Sequence, residues 1–304
     1  MRAGKGTDPR EFFKDLHDAT VEPVQWIIKD WLPVGLQIVG GAPKSFKSTL
    51  TNAIPAVVAG WGERQLPQWA ALAPEMSGPS VLLSGEATAS ELAWLYRVGY
   101  GLRTTPDTVF VNDDPWDFKL DRAETLNALL DMLDEVQPRV CILDPLRKYH
   151  SGDENDAAFM ETILYPLRKW AISNSAALIG VHHARKESSS QDPEAVMDPS
   201  NLRGSNAIFG AADSIIMCRC IDRNIGKLRV AAIHKRAAGW TRDLLLGVPG
   251  NKNWSQIGTE VITEMDKNIQ RLLVQGATTV QVAKQLHVKE VEVNDCIDKF
   301  ARNQ

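Results

Sequence analysis

Apolar residues in the first 180 positions fall into two alternating kinds of segment. Residues 35–40 (GLQIVG), 81–84, 108–111, 140–143 and 177–181 are short, nearly unbroken apolar runs with the length and β-branched content of buried strands. Residues 48–59, 90–98, 122–133 and 157–172 instead repeat apolar positions at helical spacing. This alternation predicts an α/β domain with a mostly parallel sheet between helices, and places ligands at the carboxyl ends of the strands.

The pattern changes after residue 182. A polar stretch, ARKESSSQDPEAVMDPSN, is expected to be mobile. Three strands follow, at 214–220, 227–233 and 243–248, as an antiparallel extension. GVPGNKNWSQIG then has the composition of a linker. The tail, with VAKQLHVKEVEVNDCI, spaces Val282, Ala283, Leu286, Val288, Val293 and Ile297 much as a helix-turn-helix spaces its core, with Thr278 or Thr279 as cap. Its second helix carries Glu290, Glu292, Asp295 and Asp298, a poor surface to turn toward phosphates. The chain therefore divides into a lead-in (1–33), a core (34–250) and a small helical module (262–304). In the lead-in, Trp26 and Trp31 of EPVQWIIKDWLP are expected to pack on the core.

Composition narrows the class. The 304 residues are 44% hydrophobic, enough to bury a sizeable core, and the net charge of −4 gives no overall basic field for nucleic acid. Apolar stretches are too short to span a bilayer, and the polar opening residues lack a secretory apolar run; the expected location is the cytoplasm. Cys141, Cys218, Cys220 and Cys296 read as reduced thiols, since Cys218 and Cys220 with His234 lack the spacing of a zinc site.

The candidate chemistry starts at GAPKSFKSTL. Gly41 to Ser48 matches a phosphate-binding loop at every fixed place except the second glycine, which is Phe46. The loop sits after a strand and before a helix, where backbone N–H groups of Gly41, Ala42, Pro43, Lys44, Ser45, Phe46, Lys47, Ser48 and Thr49 surround a bound phosphate, proline excepted as a donor. Phe46 still donates its amide if its ring points away. Lys47 is placed for the β- and γ-phosphates of ATP, and Ser48 for Mg²⁺. In VCILDPL, Asp144 ends an apolar strand and would help to hold Mg²⁺; the next residue is Pro145, not an acid. Hydrolysis then needs a water-polarising group from elsewhere. Glu86 in LLSGEATASEL, just past a strand, supplies it, beside a capping box of Thr88 and Glu91.

Taken in order, GAPKSFKSTL, VLLSGEATASEL, VCILDPLRKYH and NLRGSNAIFGAADSIIMCRC resemble the RecA-like core of hexameric replicative helicases of the DnaB/RepA type, over roughly residues 34–247. The resemblance implies a RecA-like P-loop NTPase acting as an ATP-dependent DNA helicase or translocase. It further implies a ring, commonly a hexamer, with ATP between subunits and single-stranded DNA in the centre. Arg147 and Lys148, and Arg185 and Lys186, would then lie on the DNA loops. It puts a γ-phosphate sensor at the end of ALIGVHH; strand alternation sends the two histidines to opposite faces, and His182 is preferred over His183. It makes Lys235 or Arg236, in AAIHKRAAGW, the cation offered to a neighbouring subunit, with Arg203 a lesser candidate.

The chain departs from that pattern at Phe46, in carrying no counterpart of a long amino-terminal primase-binding domain, and in the acids Asp192, Glu194 and Asp198 of the polar stretch. The compact RepA-like branch is the nearer likeness. Two other readings stand beside the motor: a filament-forming recombination or annealing ATPase, and a nucleotide-gated DNA-binding or loader module that does not hydrolyse.

Overall fold

The computed structural model describes residues 22–60, 74–99, 108–114, 118–184, 197–202, 206–224, 226–245, 259–260 and 264–302. Two short strands, β1 (Trp26–Ile28) and β2 (Leu32–Pro33), pair antiparallel and lead into β3 (Gly35–Gly41). Then follow β4 (Ser80–Ser84), β5 (Val109–Asn112), β6 (Val140–Asp144), β7 (Ala177–His183), β8 (Ser214–Asp222), β9 (Lys227–His234), β10 (Trp240–Leu245) and β11 (Thr259–Glu260). Among the described residues these form a nine-stranded sheet in the order β11-β10-β9-β8-β3-β7-β6-β4-β5. The six from β8 to β5 run parallel, and β9, β10 and β11 extend the sheet antiparallel. This is the α/β arrangement of RecA-like P-loop NTPases. The segment expected as the first antiparallel strand is thus parallel on one side, where β8 pairs with β3, and antiparallel on the other.

Alternation along β3 decides which helix covers which face. Val39, with Val181, Ile142 and Leu82, faces α1 (Lys47–Val58), which buries Leu50, Ala53, Ala56 and Val57. Leu36 and Ile38, with Leu178, Cys141 and Leu143, face α3 (Ala123–Val136) and α4 (Ala157–Ser173), which bury Leu129, Leu133, Ile163 and Leu167. Both faces are dry, as a parallel sheet requires. The short α2 (Ala89–Trp94) starts at Thr88, whose side chain accepts from the Glu91 amide while Glu91 accepts from the Thr88 amide. Another short helix, α5 (Asn206–Ala211), precedes β8.

The amino-terminal edge of the sheet is pinned by one carboxylate. Asp213 accepts the Leu36 amide at 3.0 Å and both nitrogens of the Arg168 fork, at 2.8 and 2.6 Å. Its own amide donates to Leu36 O and its carbonyl accepts from Lys235 N. Gly35 makes room: a Cβ there would lie 2.3 Å from the Asp213 carboxylate. Trp26 and Trp31 are both buried within their own chain, Trp26 edge-on to His234 and Trp31 against Trp240.

The tail folds as α6 (Glu264–Val274), α7 (Thr279–Leu286) and α8 (Glu290–Arg302) around Ile269, Val282, Ala283, Val293 and Cys296. Thr278 is the cap of α7, reciprocated by Gln281. The polar stretch at 185–196, with Arg185, Lys186, Asp192 and Glu194, lies outside the described residues, as does Arg203. No helix among the described residues is long and apolar enough to cross a membrane.

Candidate functional site

The loop from β3 to α1 keeps a phosphate-binding backbone despite its odd residue. Gly41 has φ 152°, and a Cβ on it would sit 2.2 Å from the Cys218 carbonyl of β8, so only glycine fits. Phe46 takes the left-handed conformation (φ 65°, ψ 19°) that a glycine would adopt freely. Its side chain packs, partly buried, against the core cluster under α1, and the residue also borders the site cavity. No side chain caps the first turn of α1, which leaves the helix amides for an anion.

Lys47 is buried, and its ammonium donates to the carbonyls of Gly41 and Ala42 at 2.9 and 2.8 Å. Burial lowers its pKa, opposed by the nearby charges of Asp144 and Glu86. Asp144 ends β6 at 9% exposure. Burial pushes its carboxyl up to about 6, opposed by a hydrogen bond from Ser48 and reinforced by the Glu86 charge. Register explains why Glu86 is close: Ser84 pairs with Asp144, and the Gly85 amide donates to Asp144 O at 2.7 Å. The Ser84 hydroxyl then folds the turn by donating to Ala87 O at 2.6 Å and accepting from its amide. Glu86 stands at the tip of that turn, exposed and outside the Thr88–Glu91 cap.

These groups meet in one cavity of about 420 Å³ lined by Lys44 through Thr49, Glu86, Asp144, Val181, His183 and Arg223. The choice between the two histidines is corrected here. His183 lines the cavity, because in β7 it follows Val181 on the face that α1 covers. His182 pairs with Gly40, whose missing side chain would meet Leu202 and Met217 on the opposite face, and is buried there.

Lys235 and Arg236 lie at the far edge of the sheet. Ser214 pairs with both His234 and Gln37, so β9 ends level with Gln37, near the start of β3 and about 13 Å of strand from Gly41, where the phosphate loop begins. Lys235 donates to Gly210 O, and burial lowers its pKa; Arg236 lines a separate cavity with Asp213, His234 and Gln25. Neither reaches the loop of its own chain. Arg147 and Lys148 are exposed on the turn Leu146–Tyr149 that follows Asp144.

Sequence reasoning missed Arg223. It sits just past β8, within 3.4 Å of Lys44 O, and with Cys220 and Ile221 walls a second cavity against Ala42 to Ser45. Nothing in its own stretch marks it; the pairing of β8 with β3 puts it there. Ser48 and Asp144, touching through a hydrogen bond, offer hard oxygen donors side by side and fit Mg²⁺. The family model described as AAA domain matches residues 8–189, more than half of the chain. No curated protein matches it.

Proposed function

The chain belongs to the AAA-domain family of P-loop ATPases, and on that premise we propose that it is an ATP-dependent DNA helicase or translocase of the ring-forming, hexameric RecA-like type. The observation that supports this reading is the convergence of Lys47, Ser48, Glu86, Asp144 and His183 on one cavity, with Lys235 and Arg236 at the other edge of the sheet.

The amides of the loop and of the start of α1 hold the triphosphate, and the Lys47 ammonium exchanges the carbonyls of Gly41 and Ala42 for phosphate oxygens. Ser48 and Asp144 hold Mg²⁺, which supplies neutralising charge at the phosphates. Glu86, exposed at the mouth of the cavity, accepts a hydrogen bond from the attacking water and takes its proton. His183 donates to the γ-phosphate. The cation of Lys235 or Arg236 acts on the neighbouring subunit's nucleotide, since the length of the sheet keeps it from its own. Single-stranded DNA meets the exposed Arg147 and Lys148, together with Arg185 and Lys186.

Phosphate release by wild type and Glu86→Gln, each with and without single-stranded DNA, tests the reading. DNA is expected to stimulate wild type, and Glu86→Gln to lose roughly 100-fold or more while still binding nucleotide. Equal rates would remove Glu86 from the chemistry; the absence of stimulation would remove DNA.

A further inference from the structure

Glu86 borders two cavities. One is the phosphate site; the other, about 170 Å³, lies on the far side of the same turn and is lined by residues 84–88, Asp113, Lys119 and Lys148. Two acidic residues and two lysines therefore line the second cavity. Asp113 already serves the start of α2, accepting the Ala89 amide at 2.8 Å. Lys119 donates to the Lys148 carbonyl and so fastens the turn that bears Lys148.

The stem of Lys148 crosses directly over the residue before Glu86. A Cβ at Gly85 would fall 2.9 Å from both Cβ and Cγ of Lys148, so Gly85 leaves the passage through which that stem reaches the cavity. The same Lys148 is exposed, on the turn that follows Asp144. Lys148 thus borders both the Glu86 turn and the solvent side where a polyanion would arrive.

We propose that Lys148 is a positioning residue that makes hydrolysis depend on nucleic acid: without it the Lys148 ammonium draws the Glu86 carboxylate into the second cavity, and a nucleic-acid phosphate takes the ammonium and frees Glu86 to face the phosphate site. This rests on the reading of Glu86 as the water-polarising group. Phosphate and carboxylate compete for one cation, both through charge-assisted hydrogen bonds, so the exchange requires no large movement of the backbone. Glu86 is only a side-chain rotation away from either cavity.

The test is the rate of phosphate release without DNA, measured for wild type, Lys148→Met, Lys148→Arg and Glu86→Gln, with the affinity for a fluorescent ATP analogue measured alongside. Methionine keeps the stem that packs on Gly85 and removes the charge. Lys148→Met is expected to raise the DNA-free rate about fivefold at unchanged nucleotide affinity, with DNA adding little more; Lys148→Arg restores the low rate. An unchanged or lower DNA-free rate in a Lys148→Met protein that binds nucleotide normally, with Glu86→Gln inactive, would overturn this inference and leave the reading of Glu86 standing. A Glu86→Gln enzyme as fast as wild type would overturn both.

Discussion

Phe46 shows how a loop can lose its expected glycine and keep its shape. The left-handed backbone costs a side chain roughly 1–2 kcal/mol, and partial burial of the ring against the core under α1 returns about as much. Phe46→Gly is therefore expected to stay within about 1 kcal/mol of wild type, whereas Phe46→Ala keeps the strain, loses the ring and is less stable than Phe46→Gly by about 1 kcal/mol. Urea unfolding of the two variants checks the order. The sequence reveals the loop and the departure, since both are local; it does not reveal the conformation that resolves them. The histidine pair has the same limit. Alternation shows that one of the two reaches the site, but only the packing of α1 on one face selects His183.

Asp144 carries a pH signature. Its carboxyl titrates near 6 in the folded chain against an ordinary value of 3.8, so the ionised form burdens the fold above pH 6. As pH falls through 6 the group takes a proton that the unfolded chain does not yet bind, and stability rises until both states are protonated below 3.8. Without metal or nucleotide, Asp144→Asn is expected to melt a few degrees higher than wild type at pH 7.5, with the gap closing between pH 6 and 4. Thermal melts across that range decide it. Binding of Mg²⁺ by wild type should weaken over the same interval, because the metal needs the ionised form.

At the scale of elements, the strand-helix alternation was legible because each buried strand is a continuous apolar run and each helix keeps its own period. Strand order was not. The parallel pairing of β8 with β3 brings Arg223 to the phosphate loop and places Asp213 against the start of β3, and no local signal encodes either contact. Asp213 holds β3 and α4 through its partly buried carboxylate and the turn after β9 through its backbone carbonyl, so it reads as a clamp rather than a catalytic group. Asp213→Ala is expected to lower stability by about 2–4 kcal/mol, leaving the Arg168 fork without its partner, while a chemical-denaturation curve still shows one cooperative transition. A loss below 0.5 kcal/mol, roughly that of an ordinary surface change, would deny the clamp.

At the scale of the whole molecule, the proposed function divides one site between the two ends of the sheet. The phosphate loop, Glu86, Asp144 and His183 occupy the carboxyl edge, and Lys235 and Arg236 the amino edge. An assembly that stacks unlike edges completes each site between two chains, which is the arrangement proposed here. Mixing Lys47→Ala with Arg236→Ala, each inactive alone, is then expected to recover part of the wild-type phosphate release, because some interfaces pair an intact loop with an intact arginine. No recovery at any ratio would count against a shared site.

Everything proposed for the motor starts from an anion held by the α1 amides and Lys47. The most direct measurement is a calorimetric titration of the purified chain with an ATP analogue and Mg²⁺, beside the same titration of Lys47→Ala. Saturable binding is expected, needing Mg²⁺ for full strength and weakening by ~10-fold or more in the variant. Equal affinity in the two proteins, or no binding to wild type, would contradict it.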